Sequence, residues 1–518
     1  MPRGVTPTLR WASSSMVLLA SCTSTSNNRP DPSPPPDTCG SAPECGPSAE
    51  QFFDDRKLAE IRLTSSETDL EAIRVELKQR GYELCPPNTV GEGACTPVAS
   101  LLDLLWAKWQ HCGPYKNYIP VTMEYQSPDG VGNVVLSKVG MRLRGTNSRY
   151  SNPLQGFKLN FETLLADQSG GVGRRFGGGS RLNALTVDGD DTLMLQCQAY
   201  GLMRAFGVPA PRCNHLKVYV NGEYYGLMQN AEEPDEGSFL RHAFGDANDE
   251  GSLYKCSAGC GYDDFKADLE YYGDGFTEQT APGAQQPGMY PKAYNLVRGE
   301  PGAHEVDLIP MFKCGGPEST PDDAAFASCI QEWIDVAEWL RVIAAESLMP
   351  TVESFVGSKR NYYLYFKPEA GAPHGGRFSV YSWDLDAAFN RAGCLPSSCD
   401  PFTSVASWYT GGGRARLVQR LIRVFKDRYC AAMRSFLSDL YDPGRVDRAA
   451  AVLETAMAGL PIPFVDRRDV ATAQLVPREP LTHGAWSAAV ATLRDYVAAH
   501  RAAAQAQVDA RCSAASAP

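Results

Sequence analysis

Asn361-Tyr-Tyr-Leu-Tyr-Phe-Lys-Pro368 and, after a Gly/Pro-rich turn, Arg377-Phe-Ser-Val-Tyr-Ser-Trp-Asp-Leu-Asp-Ala-Ala-Phe389 form the stretch on which the reading of this chain turns. Aromatic and β-branched runs on either side of a breaker cluster read as a hairpin, Tyr362 to Phe366 with Phe378 to Ser382. Asp384 and Asp386 follow it two apart, so a strand continuing through them would project both from one face. Paired carboxylates at a strand end suit Mg²⁺, which takes one or two protein carboxylates plus water and phosphate oxygens. Two solvated acids at a polar strand end account for the segment alone equally well. Taking Phe366 opposite Ser379 as the register, Asn361 falls opposite Asp384 and offers an amide oxygen as a second ligand. Glu353, eight residues earlier, is a carboxylate able to reach the same mouth.

The chain on either side is built of different elements. Val121 to Tyr125 and Val134 to Leu143 alternate as strands around a polar turn at Ser127 to Gly132. Leu216-Lys-Val-Tyr-Val220, Asn221-Gly222 and Glu223 to Met228 predict a hairpin with a type I′ turn. A helix through Leu193, Cys197, Tyr200 and Met203 is capped by Asp190 or Asp191 and stopped by Gly207. Towards the C-terminus, Trp333, Val336, Leu340, Ile343 and Ser347 trace one helical face, and Leu417, Leu421, Phe425 and Tyr429 another. A last helix covers about 486–508. Strands first and helices later imply an α+β fold with a sheet-rich lobe and a helical lobe.

The 518 residues carry 49 basic and 60 acidic side chains, a net charge of −11. That excess of acid argues against a nucleic-acid binder, which needs a clustered positive field. No apolar run is long enough for a membrane-spanning helix. The start reads as an export signal: Arg3 and Arg10, a short apolar stretch from Met16 to Ala20, then Ser21 and Cys22. Leu19-Ala-Ser-Cys22 resembles a lipobox, which makes Cys22 the lipidated residue and the anchor to a bacterial membrane, inner or outer. A signal cleaved nearby, with Cys22 incidental, is the plainer alternative. The expected organisation is therefore a signal over 1–21, a Pro/Ser-rich linker over 22–50, a folded body over 51–505 and a polar tail over 506–518. Within the body, 51–255 is the sheet-rich lobe, 256–330 an irregular insertion and 331–505 the helical lobe. Cys22 apart, fifteen cysteines remain, which points to an oxidising, extracytoplasmic location. Short spacings suggest local clips: Cys39 with Cys45, Cys85 with Cys95, Cys256 with Cys260, and Cys394 with Cys399.

Candidate cations lie in the sheet-rich half. Arg142-Leu-Arg144-Gly145-Thr-Asn-Ser148-Arg149 is a basic turn where Gly145 lets backbone amides approach a phosphate and Ser148 adds a donor. Phe157-Lys158-Leu-Asn-Phe161 reads as a strand with its polar residues on one side. Lys158 would reach α- and β-phosphates, steadied by a carboxylate such as Glu232. The order acid, Asn, hairpin, Asp is also that of the catalytic loop, hairpin and metal-binding Asp of protein kinases.

With these motifs in hand the chain resembles the CotH-type (spore-coat protein H-like) atypical protein kinases. The likeness rests on Phe52-Phe-Asp-Asp55, Val139-Gly-Met-Arg-Leu-Arg-Gly145, Gly156-Phe-Lys158-Leu, Arg181-Leu-Asn-Ala and Phe206-Gly-Val-Pro-Ala-Pro211. It continues through Val220-Asn-Gly-Glu-Tyr-Tyr-Gly-Leu227, Glu232 with Phe239-Leu240, Leu253-Tyr-Lys255, Asn361-Tyr-Tyr-Leu-Tyr365 and Trp383-Asp-Leu-Asp386. The resemblance implies a two-lobed atypical kinase-like fold, ATP with Mg²⁺, and γ-phosphoryl transfer to protein Ser or Thr. It makes Lys158 the phosphate-contacting lysine, Glu232 a lobe-stabilising acid, and Asp384 and Asp386 the metal pair, with Asn361 beside them. Glu353 stands where the family usually has Asp, and Thr146 where it commonly has Asn. A surface-displayed binding or structural lipoprotein on the same frame is the alternative function. No His-Glu-x-x-His or Gly-x-Ser-x-Gly pattern supports a hydrolase.

Overall fold

The computed structural model of the protein describes residues 36–38, 44–73, 84–85, 96–97, 118–144, 156–165, 173–186, 190–245, 249–256, 267–271, 273–274, 293–351, 354–389, 399–402, 414–457 and 481–513. Seven strands in the N-terminal half are β1 (Ala59–Thr64), β2 (Ile119–Gln126), β3 (Val134–Leu143), β4 (Phe157–Asn160), β5 (Arg181–Leu185), β6 (Cys213–Val220) and β7 (Glu223–Ala231). They close into a barrel in the order β6-β7-β5-β4-β3-β2-β1, the last contact being a parallel pairing of β1 with β6, Ala59 opposite Leu216. A sheet-rich lobe was expected there; closure goes further, because it leaves no sheet edge exposed. Alternate residues fill the interior: Ile61, Leu63, Val121, Met123, Leu136, Val139, Phe157, Leu159, Leu182 and Val218 form one buried cluster. A bulge adds one residue to β3 where Leu136 faces Met123 and Val139 faces Val121, and Lys138 takes the left-handed conformation it requires (φ 51°). The β6–β7 hairpin turns on Asn221 and Gly222, with φ of 49° and 83°, the two positive values of a type I′ turn. Asn221 also clips the hairpin to β1, accepting from Ser65 N–H and donating to Ser65 C=O, each at 3.0 Å.

A second, four-stranded antiparallel sheet runs β9-β8-β10-β11, from β8 (Ser252–Cys256), β9 (Tyr294–Arg298), β10 (Tyr362–Pro368) and β11 (Gly376–Ser382). Around it lie α1 (Leu195–Ala205), α2 (Gly237–Phe244), α3 (Ile309–Gly315), α4 (Asp323–Trp333), α5 (Val336–Leu348), α6 (Arg416–Val424), α7 (Lys426–Ser435), α8 (Pro443–Met457) and α9 (His483–Ser513). The whole is an α+β protein. This sheet and its helices share one large apolar cluster running from Leu193 to Val508, separate from the barrel interior. The helical face expected through Trp333 to Ser347 belongs to two helices. The chain breaks at Ile334, and the Asp335 carboxylate caps α5 by accepting from Ala337 N–H at 2.9 Å. The segment 256–330, read as irregular, contributes β9, α3 and most of α4 among its described residues.

The hairpin register differs from the expected one by a single residue. Tyr365, not Phe366, faces Ser379, so Asn361 comes opposite Trp383, and Trp383 N–H donates to Asn361 C=O at 2.7 Å. Disulfides join Cys197 to Cys213, Cys314 to Cys329 and Cys430 to Cys512. The expected Cys256–Cys260 clip does not form, because β8 carries Cys256 into the core as a free thiol. The other three expected clips each include a cysteine (Cys39, Cys95 or Cys394) outside the described residues. Among the described residues no helix is long and apolar enough to cross a membrane.

Candidate active site: a buried lysine and an acidic turn

Strand β4 turns Phe157 and Leu159 into the barrel, so period-two geometry sends Lys158 out of the opposite face, towards the helical body. There it is buried and forms an ion pair with Glu233. The expected partner was Glu232. That neighbour instead accepts from Arg212 Nε at 3.1 Å and from Arg212 backbone N–H at 3.2 Å, with His242 Nδ1 at 3.5 Å. Successive residues leaving β7 point opposite ways. Leu227 and Ala231 pack on the helical side, and the same alternation continued brings Glu233, not Glu232, to Lys158. Glu232 remains a structural acid: it braces the corner where β6 begins against α2.

The ion pair sits among further charges. Arg181 on β5 donates from Nε to Glu236 and from its terminal amine to Asp235, both at 2.7 Å. Burial pulls the Lys158 ammonium down to about 8, against the opposing pull of Glu233, and Arg144 adds to the lowering. Burial works to raise the Glu233 carboxyl, but Lys158, Arg181 and Arg144 together hold it well below the ordinary range. Glu233 is therefore the fixed anion of the cluster and Lys158 a cation that titrates within reach of physiological pH.

Arg144, two residues beyond Arg142 at the end of β3, connects this cluster to the second group. Its guanidinium lies 5.1 Å from the centre of the Trp383 ring. Trp383 stacks on Tyr200 of α1 at 6.2 Å, and Tyr200 Oη accepts from Asp384 N–H at 3.0 Å. A strand continuing through the two acids would have put both on one face, but β11 stops at Ser382. Asp384 is left-handed (φ 59°, ψ 53°), and Asp386 lies in a single 3₁₀ turn, Leu385–Ala387. The acids therefore share a tight turn rather than a strand face. Asp is among the few residues that take this conformation at small cost. The Asp384 carboxylate has no ion-pair partner among the described residues, and Asp384, Arg144 and Asp386 all act electrostatically on buried Tyr200.

A buried acid that sequence reasoning missed supports the turn from below. Glu346 of α5, 1% exposed, accepts from Val356 N–H at 2.8 Å and from the Ser382 hydroxyl. Burial raises its carboxyl, and these hydrogen bonds oppose the rise. It ties the last residue of β11 to the segment leading into Asn361, itself left-handed at φ 58°. An acid amid Ile343, Ala344, Ala345 and Leu348 on a buried helix was the available signal. Of the residues singled out from sequence, Lys158 and Arg144 share one charge cluster, Arg144 lies over Trp383 next to Asp384, and Asn361 is one hydrogen bond from Trp383. Glu232 lies one residue out of place. Glu353, Gly145, Ser148 and Cys22 lie outside the described residues.

Among the described residues no three His, Cys, Asp or Glu side chains gather as a metal cluster. The Asp384 and Asp386 carboxylates of the turn are hard oxygen donors of the kind Mg²⁺ takes together with water and phosphate oxygens, while the observed register sets Asn361 against Trp383 rather than Asp384.

A lysine on a barrel strand, buried against a glutamate, is thus joined through an arginine to an acidic turn. The model of the CotH kinase protein family matches residues 141–503, well over half of the chain, and the protein belongs to that family. The matched span includes every one of Arg144, Lys158, Glu233, Asp384 and Asp386. No curated protein matches the chain. Family membership carries an atypical kinase-like function.

Proposed function

We propose that the protein is an ATP-dependent atypical kinase that transfers the γ-phosphoryl group to Ser or Thr hydroxyls of a protein substrate with Mg²⁺. One observation carries the reading: the buried Lys158–Glu233 pair is joined through Arg144 to the Trp383–Asp384 turn. In this proposal Lys158 neutralises charge on the nucleotide phosphates, and Glu233 keeps the ammonium aimed and protonated. Asp384 and Asp386 hold the divalent ion, and Arg144 supplies a second fixed cation for charge that develops during transfer. The ion, when bound, screens the phosphate oxygens. Glu353 is proposed as the base that accepts the hydroxyl proton, its longer side chain taking the role of the Asp usual in the family. The proposal includes export and attachment to a membrane through lipid on Cys22; the cystine bridges among the described residues favour an oxidising compartment.

Purified protein incubated with γ-labelled ATP and Mg²⁺ tests the reading. Label is expected on the protein itself or on a casein-type acceptor, and is expected to fall by at least about a hundredfold in Asp384→Asn and in Lys158→Met, as for loss of an electrostatic group acting in the transition state. Asn tolerates the left-handed backbone at 384 better than Ala, so the first variant removes charge with little strain. Equal labelling in wild type and both variants would refute phosphotransfer at this site. Absence of nucleotide binding by the wild type would instead favour a binding scaffold.

A further inference from the structure

Where barrel, second sheet and α2 meet, a cavity of about 270 Å³ is lined by polar side chains that take no part in the site above, Arg181 and Glu236 excepted. Four arginines reach it: Arg175, Arg181, Arg241 and Arg298. Two are neutralised in place, Arg181 by Asp235 and Glu236, and Arg241 by Asp249. Arg175 and Arg298 have no carboxylate partner among the described residues; Arg298 donates to the Asp249 backbone carbonyl. Of the acids on the wall, Glu236 is also occupied by Ser180, whose hydroxyl donates at 2.8 Å and whose N–H donates at 3.2 Å. Glu162 is the remaining acid on the wall, and Arg175 and Arg298 are the two lining guanidinium groups that stand outside these ion pairs.

The backbone is fitted to this arrangement. Helix α2 begins at Gly237, on the cavity wall, so its positive end faces inward. A methyl group at Gly237 would lie 3.1 Å from the Arg241 terminal amine and from Asp249 Oδ2, and 3.3 Å from the Arg298 terminal amine, so glycine lets these side-chain ends approach the helix start without shifting. Half-buried guanidinium forks without counter-ions, beside a helix N-terminus, match the tetrahedral oxygens of a phosphate group.

We propose that this cavity is an anion site, distinct from the nucleotide site, that binds a phosphate dianion through Arg175 and Arg298. The dianion has two possible sources, a phosphorylated side chain of a protein or free inorganic phosphate. The proposal does not depend on phosphotransfer: none of Lys158, Arg144, Asp384 and Asp386 lines the cavity.

Calorimetric titration of the full chain with a phosphoserine peptide, its unphosphorylated form and inorganic phosphate tests it. Saturable binding of a phosphate-bearing probe is expected, weakened at least about tenfold in Arg175→Ala and in Arg298→Ala, as for loss of a charge-assisted contact. Nucleotide affinity and the unfolding midpoint are expected to stay unchanged in both. Preference for the peptide assigns the site to phosphoprotein; equal affinity assigns it to free phosphate. Should an alanine variant fold poorly, Arg175→Lys, which keeps charge but loses the fork, is expected to bind with intermediate affinity. No saturable binding, binding that the variants leave intact, or a parallel loss of nucleotide affinity would overturn the proposal.

Discussion

Lys158 shows how one side chain draws its chemistry from its surroundings. An exposed lysine is charged throughout the physiological range, whereas burial beside Glu233 brings this ammonium to about 8. Below that value the pair is a salt bridge with a cation ready for phosphate; above it the attraction is lost. Nucleotide affinity is therefore expected to fall as pH rises past about 8, and the bound polyphosphate, by favouring the charged form, shifts the fall towards higher pH. Titration calorimetry between pH 7 and 9.5 measures it, with Lys158→Met showing a weaker and flatter profile. A wild-type profile as flat as the variant's would remove Lys158 from the nucleotide site. Asp384 illustrates a second residue-level effect, for its left-handed backbone is what turns its carboxylate away from the path of β11.

At the scale of elements, the acidic turn is held by contacts from outside its own hairpin. Tyr200 of α1 receives the Asp384 N–H, and Glu346 of α5 receives Val356 N–H and the Ser382 hydroxyl. In Glu346→Ala the Val356 N–H is left buried without an acceptor, a loss of roughly 1–3 kcal/mol before any cavity term. Glu346→Gln keeps a carbonyl acceptor and is expected to cost less. The folded-state carboxyl of Glu346 is raised, so its contribution is fully present below the unfolded carboxyl range near 4.5 and fades as pH rises through the higher folded value. Denaturant unfolding is thus expected to show Glu346→Gln gaining on the wild type from pH 4 to pH 8. A constant difference across that range would contradict this account of Glu346.

For the whole molecule, two apolar clusters and long-range covalent ties set the stability. The Cys430–Cys512 bridge joins α7 to the end of α9 across 82 residues of sequence. Closing a loop of that length restricts the unfolded chain by about 4–5 kcal/mol in the chain-entropy account. Cys430→Ser with Cys512→Ser is expected to lose a large part of that, read as a lower denaturant midpoint. Reductant is expected to lower the wild-type midpoint further than that of the double variant. Equal midpoints for wild type and variant under oxidising conditions would show that α9 is held by packing alone.

Local signals carried much of this protein on their own. Alternation identified the strands Val134 to Leu143 and Leu216 to Val220 and Asn221-Gly222 specified its turn, each a nearest-neighbour preference of the backbone; 3.6-residue spacing marked helical chain towards the C-terminus but ran across breaks at Ile334 and Phe425, where each expected face divides between two helices. The motifs around Lys158 and Trp383-Asp384 likewise sufficed to assign the family. Pairing over long distances was not so encoded. A register slip of one residue moved Asn361 from Asp384 to Trp383, since either register satisfies the same apolar pattern, and only packed neighbours distinguish them. The choice of Glu233 over Glu232, the cystine partners and the closure of β1 on β6 depended in the same way on which groups, remote along the chain, come within a few ångströms when the two cores exclude water.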